Sequence, residues 1–256
     1  IGAVVRSASD ALAPMFAHCS KLRAVHARDW EWSTHRIPVE VEKRLPMIGC
    51  AEDRAKVEEL LARVGSVLPL DAAKVQVRID RCCASSASST SRAEVEMWFR
   101  KGFVHSDVND TNVLFKKSKA PAHEVAALID FGDSCYDYIL YDVGVAAGYA
   151  CMHQTIPTAV TVAAVIRGFC KGVDGDASLP PRAAVEVIYA AALGRLLLSL
   201  TCGLEQMTLD PEDEYVAHTV APCKEAVLRQ LEEFPSLDDA IEAVCKAMLI
   251  DSVGLG

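Results

Sequence analysis

The chain has 256 residues, of which 51% are hydrophobic and 24% charged, with a formal net charge of −9. That length and apolar content exclude disorder over most of the chain and suffice for one substantial core. The acidic balance argues against a nucleic-acid face, which needs clustered Lys and Arg. It suits a cationic small molecule or a divalent metal, although solubility alone explains it and is the better default.

Residues 1–50 read as helical pieces separated by Pro14, Pro38 and Pro46, with Trp30 and Trp32 close together. No basic segment followed by an apolar stretch opens the chain at Ile1, so no secretory signal is read there. From residue 54 onward, Val57, Leu60, Leu61, Val64 and Leu68 recur on one face of a helix, which Pro69 stops. The run VQVRI at 75–79 is the only strand-like segment before residue 100. Residues 74–92, including the low-complexity CCASSASSTSR, are expected to form a flexible insertion. A short helix follows over 92–100.

Two short apolar runs, 112–115 and 125–129, flank the turn KKSKAPAH and predict a small antiparallel β-ribbon. Everything from Tyr141 onward reads as helix. Residues 187–204 imitate a membrane span, but Arg195 near the middle would cost about 2.5–3.5 kcal/mol in a bilayer. A buried core helix is the better reading, and no membrane is expected. Asp210 and Pro211 read as the N-cap and first position of a helix. Ser236 opens another, with Ile241, Val244, Cys245, Met248 and Leu249 on its apolar face. The expected fold class is α+β, mostly α-helical around one ribbon. The ten cysteines are scattered, with no C-x-x-C and no zinc-like Cys/His spacing, so reduced thiols and a cytoplasmic location are expected.

The chemistry-bearing stretch runs from residue 104 to 133, VHSDVNDTNVLFKKSKAPAHEVAALIDFGD. His105, Asp107, Asn109, Asp110 and Asn112 precede the first strand of the ribbon. Asp130 and Asp133 bracket Phe131 and Gly132 just after the second. An antiparallel ribbon brings the two clusters to one end, placing an Asn and several carboxylates around a common point. Such oxygen donors suit Mg²⁺ bound together with substrate phosphates. A free carboxylate beside them can orient a hydroxyl for in-line attack on phosphorus. The bland alternative is a set of turn-forming Asp and Asn residues; it is weakened by the ordered combination of H-x-D-x-x-x-x-N, strand, turn, strand and D-F-G.

HSDVNDTNVL followed by LIDFGD resembles the catalytic and metal-binding loops of the aminoglycoside phosphotransferase and choline-kinase-like family. These are small-molecule relatives of the protein kinases. The resemblance spans residues 10–70 and 95–205, taking in KLRAVHARDWEWSTHRIP, SCYDYILYDVGVAAGYA and LGRLLLSL. It implies that residues 1–256 are the C-terminal lobe of a protein-kinase-like fold, its ribbon carrying the catalytic and metal loops. Asp107 is then the catalytic base, with His105 holding the loop. Asn112 and Asp130 hold Mg²⁺ and, through it, the phosphates of GTP or ATP. Asp142 is the structural aspartate beneath the loop. Asp110 and Asp133 are candidates for a cationic group on the substrate, with a helix cap an equal alternative for Asp133.

The implied reaction moves a nucleotide γ-phosphate to a hydroxyl of a small amine-containing metabolite, 5-hydroxylysine being the first acceptor expected. Ser106 stands where the family loop usually has Gly, a change that matters only if φ is positive there. No β-rich segment with a phosphate-binding Lys precedes residue 100, so a nucleotide-covering N-terminal lobe is expected to be missing. A catalytically incomplete fragment or pseudokinase acting as a binding module is the alternative.

Overall fold

In the computed structural model the described residues are 30–84, 91–116, 125–152, 155–171 and 179–250. Helices α1 (Ile37–Arg44), α2 (Ala51–Val67), α3 (Ala72–Ala84) and α4 (Arg92–Trp98) come first. Four short strands follow: β1 (Lys101–Val104), β2 (Val113–Phe115), β3 (Val125–Leu128) and β4 (Cys135–Tyr138). Helices α5 (Ile139–Ala150), α6 (Thr158–Lys171), α7 (Arg182–Leu209), α8 (Glu214–Glu233) and α9 (Leu237–Leu249) complete the described chain. The class is α+β and mostly helical.

Helix α7 is the axis of the core. It is long and apolar enough to cross a membrane by length and composition, yet 78% of its most apolar stretch is buried in the protein. A helix apolar on every face belongs inside a core, and α5, α8, α1, α2 and α9 pack around it. Helix α5 approaches it closely because glycines line its contact face. A Cβ on Gly144 would sit 2.5 Å from Ala191 Cβ and 2.7 Å from the Ile188 carbonyl oxygen. One on Gly148 would meet the Ala192 carbonyl at 2.6 Å. The amphipathic reading of α2 holds, with Val57, Leu60, Val64 and Leu68 buried.

Several expectations are corrected. VQVRI lies inside α3, not in a strand. Val75, Ile79 and Cys82 share its inner face, and Arg78 reaches Glu186 of α7 at 3.2 Å. Helical spacing and strand alternation coincide over five residues, and packing against α7 decides between them. Residues 74–84 of the expected flexible insertion are therefore helix, and Ser91 forms a capping box with Glu94 at the start of α4. Residues 85–90 lie outside the described residues, as does the turn at 117–124. Pro38 does not separate helices; it occupies the first turn of α1, where its missing N–H costs nothing. Asp213, not Asp210, caps α8 and accepts from the Val216 N–H at 3.1 Å. Ser236 caps α9 as expected, but Leu249 on its expected apolar face is 73% exposed.

The largest correction concerns the sheet. The expected ribbon is present as β2 and β3, with Val113 opposite Leu128 and an irregularity between Leu114 and Phe115. A second antiparallel ribbon pairs β1 with β4, from Lys101 opposite Tyr138 to Val104 opposite Cys135. The chain thus crosses from one ribbon to the other through residues 105–112 and returns through 129–134. Paired strands clamp both crossings at both ends, so the two loops lie side by side.

Candidate active site

The first crossing is wired by its own side chains. His105 is buried, its backbone N–H donates to Asp142 Oδ2 at 3.0 Å, and the Ser106 N–H donates to Asp142 Oδ1 at 2.8 Å. Asp142 projects from the first turn of α5 and is itself buried. Burial pushes its carboxyl up, against the opposing pull of the two N–H donors, His105 and Arg195. Ser106 adopts φ 68°, the left-handed region that a non-glycine residue enters at a cost of about 1–2 kcal/mol. Both sides of that residue are held. Asp142 takes its N–H, and Arg195 Nη2 donates to its carbonyl at 2.6 Å.

Arg195 is fully buried on α7, where it also donates to the Trp32 carbonyl at 3.1 Å and packs against the rings of Trp32 and Tyr149. A charge in the middle of an apolar run needs partners. Here those partners are the loop backbone and two aromatic faces.

Past Ser106 the loop folds on Asn109 and Asn112. Asn109 Oδ1 accepts from the Thr111 N–H, the Thr111 hydroxyl and the Asn112 N–H, at 2.9, 2.7 and 2.9 Å. Its amide nitrogen donates to Asp107 Oδ2 at 3.0 Å. Asn112 Nδ2 donates to the same Oδ2 and to the Asp107 carbonyl, both at 2.9 Å. Both amides converge on one oxygen of Asp107, Oδ2. The Tyr149 hydroxyl, kept protonated by burial, faces the same carboxylate.

The second crossing is stitched to the first. The Ile129 N–H donates to the Asn112 carbonyl at 3.0 Å, and His105 Nε2 lies 2.9 Å from the Ile129 carbonyl. That bond makes Nε2 the protonated nitrogen, and Nδ1 then accepts the Asp107 N–H at 3.3 Å. With both ring nitrogens engaged and the Phe131 ring centroid 4.7 Å from its own, His105 links the two loops. Asp130 sits at φ 60°, exposed, and among the described residues its Oδ1 accepts from the Gly132 N–H at 3.3 Å.

The Ile129–Asn112 backbone bond sets Asn112 and Asp130 on adjoining stretches of the two crossings, one carrying an amide oxygen and the other a carboxylate. Such a hard, all-oxygen pair fits Mg²⁺, which keeps waters and phosphate oxygens in its shell. Among the described residues no group of three His, Cys, Asp or Glu side chains could hold a metal by itself. The pair can therefore act as a metal site only with phosphate and water completing the shell.

A cavity of about 680 Å³ opens beside Asp107, lined also by Asp110 and Asp133. The helix-cap alternative for Asp133 fails, because β4 follows it and Tyr138 caps α5. Trp32 and Tyr149 supply aromatic wall, while Glu31 and Glu205 add further carboxylates. The cavity thus favours a cation with an apolar body. Sequence reading missed Glu31, Arg44, Tyr149 and Glu205 as lining residues, since nothing in the linear order joins them. Arg195 did carry a signal, as a lone charge inside an apolar stretch.

This geometry has counterparts in known proteins. Residues 34–184 match the model of the phosphotransferase enzyme family, more than half of the chain. The chain belongs to the phosphotransferase enzyme family. Mouse hydroxylysine kinase is 25% identical over 209 residues, which cover 79% of this chain and 47% of that protein. Bovine hydroxylysine kinase is 24% identical over 203 residues, 77% of this chain and 45% of that protein. The chain thus spans a little under half the length of these relatives. Membership implies a nucleotide phosphoryl donor used with a divalent metal, the role for which the Asn112–Asp130 pair is chemically suited.

Proposed function

We propose that this phosphotransferase moves the γ-phosphate of ATP or GTP, with Mg²⁺, to a hydroxyl of a small amine-containing acceptor, 5-hydroxylysine first. In this reading residues 1–256 form one kinase-like C-terminal lobe. The observation that carries it is the Asp107 carboxylate, fixed by two amides on the wall of an acidic, aromatic-lined cavity and stitched through His105 to the Asp130 loop. Bound Mg²⁺ would neutralise charge on the transferring phosphoryl group. The chain's own part is to hold Asp107 so that its carboxylate accepts the acceptor's hydroxyl proton, and to keep Asn112 and Asp130 in register. Asp110 and Asp133 would face an ammonium group of the acceptor. The similarity to two hydroxylysine kinases supports the choice of acceptor. Nine free cysteines among the described residues support a reducing, cytoplasmic compartment.

The test is phosphoryl transfer to 5-hydroxylysine, other amino alcohols and aminoglycosides, with both nucleotides. Asp107→Asn should lower kcat by about 10²–10⁴-fold and leave the unfolding midpoint in place. Unchanged turnover in that variant would sink the assignment. Nucleotide binding with no turnover on any acceptor would favour the binding-module reading instead.

A further inference from the structure

The cavity beside Asp107 has a second charged wall, built without either loop. Among its described lining residues, Arg44 at the end of α1 is the only Lys or Arg. Its guanidinium donates from Nε to Glu205 Oε2 at 2.6 Å, from Nη1 to Glu40 Oε2 at 2.9 Å, and from Nη2 to Glu31 Oε2 at 3.0 Å. These three carboxylates are not equivalent. Glu40 is buried and its other oxygen is shared by Arg36 and Lys43, so it anchors Arg44 from behind. Glu31 and Glu205 line the cavity, with side chains 43% and 40% exposed.

Arg44 is thus a rigidly held guanidinium whose cavity side is covered by two accessible carboxylates. A ligand carboxylate has the shape and charge to take the Nη2 position from Glu31, the longer and more exposed of the two contacts. A guanidinium fork binds carboxylates with directional, charge-assisted hydrogen bonds. The displaced Glu31 carboxylate then needs a cation, and an α-ammonium on the same ligand carbon supplies one. The remaining negative wall at Asp110 and Asp133 answers a second amine. One cation among several carboxylates complements a dibasic amino acid, whose one carboxylate accompanies two ammonium groups.

We infer that Arg44, Glu31 and Glu205 form a clamp for the α-amino and α-carboxylate groups of an amino-acid acceptor whose side-chain hydroxyl reaches Asp107. This rests on the phosphotransferase reading for the role of Asp107, but the clamp is read out by binding alone. Calorimetry on the full chain would compare three ligands. These are 5-hydroxylysine, its decarboxylated form 1,5-diamino-2-hydroxypentane, and its deaminated form 6-amino-5-hydroxyhexanoate. 5-Hydroxylysine should bind about tenfold or more tightly than either, the loss expected when a charged hydrogen-bond partner is left unpaired.

Arg44→Gln should weaken 5-hydroxylysine about tenfold and leave the diamine unchanged. Glu31→Gln should weaken 5-hydroxylysine and leave the deaminated compound as tight or tighter. Should Arg44→Gln fail to fold, the wild-type ligand series and Glu31→Gln decide alone. Equal affinity for all three ligands, no binding of any, or equal losses for every ligand in both variants would overturn the clamp. Those results would leave the phosphotransferase reading standing, because that reading falls only if Asp107→Asn keeps its turnover.

Discussion

The two crossings between the ribbons carry the candidate chemistry, and they are built in opposite ways. Residues 105–112 are wired internally: Asn109, Asn112 and His105 all bond Asp107, and Asp142 and Arg195 grip the strained residue from both sides. Residues 129–134 are tied to the first crossing at Ile129 and close one turn of their own, from the Ser134 N–H to the Phe131 carbonyl, while among the described residues the Asp130 carboxylate takes a long bond from Gly132. A group that must accept a proton in one geometry profits from advance positioning. A carboxylate that must close on a metal and phosphates is better left uncommitted.

That contrast can be broken experimentally, and the largest effect belongs to the grip on the first crossing. Asp142→Ala leaves the His105 and Ser106 N–H groups without their acceptor and Arg195 without its nearby anion. It should destabilise the protein by about 3–5 kcal/mol, measured by denaturant unfolding. A loss below 1 kcal/mol would show that the loop holds itself.

Acid attacks a different anchor, the cluster behind the cavity. Burial alone would push the Glu40 carboxyl up, but Lys43, Arg36 and Arg44 outweigh it and hold it at about 2. Its folded value lies below the ordinary 4.5, so its contribution is complete above about pH 5 and lost as pH falls toward 2. Unfolding free energy measured across that window should fall by about 1–3 kcal/mol more in the native protein than in Glu40→Gln. Parallel curves would remove Glu40 from the account.

Smaller effects separate the loops themselves. Ser106→Gly should stabilise by about 0.5–1 kcal/mol, because glycine enters positive φ without the Cβ penalty. A loss of stability would mean that the Ser106 hydroxyl, 3.3 Å from Cys135 Sγ, matters more than the backbone. Asp130→Asn keeps a residue tolerant of φ 60° and should change stability by less than about 0.5 kcal/mol. The same variant should weaken Mg²⁺-nucleotide binding, measured by calorimetry. Both outcomes together establish Asp130 as a ligand residue; a large stability loss would make it structural.

Much of this was legible before any coordinates. Val57, Leu60 and Val64 announced α2 by period, and Arg195 inside an apolar run announced a core helix. The order of His105, Asp107, Asn112 and Asp130 around two strands singled out candidates that lie on the two adjoining crossings. The β1–β4 ribbon was not legible. Its strands are four residues each, lack a continuous apolar run, and pair across more than thirty residues of chain. Short strands of mixed polarity exist only because a partner completes their hydrogen bonds.

The sequence by itself determined the local chemistry: which carboxylates and amides stand within a loop's reach of one another. Helical period and turn composition act over a few residues, so they survive in the linear text. Only the tertiary structure decided what surrounds that chemistry. Segments as far apart as Glu31, Arg44, Tyr149 and Glu205 meet at one cavity because Arg44 and Tyr149 ride on α1 and α5, both packed on α7, Glu205 is on α7 itself, and Glu31 is held by Arg44. No local pattern records that meeting. The second ribbon, the positive φ of Ser106 and the aromatic seat of Arg195 are of the same kind, being fixed by burial and long-range pairing.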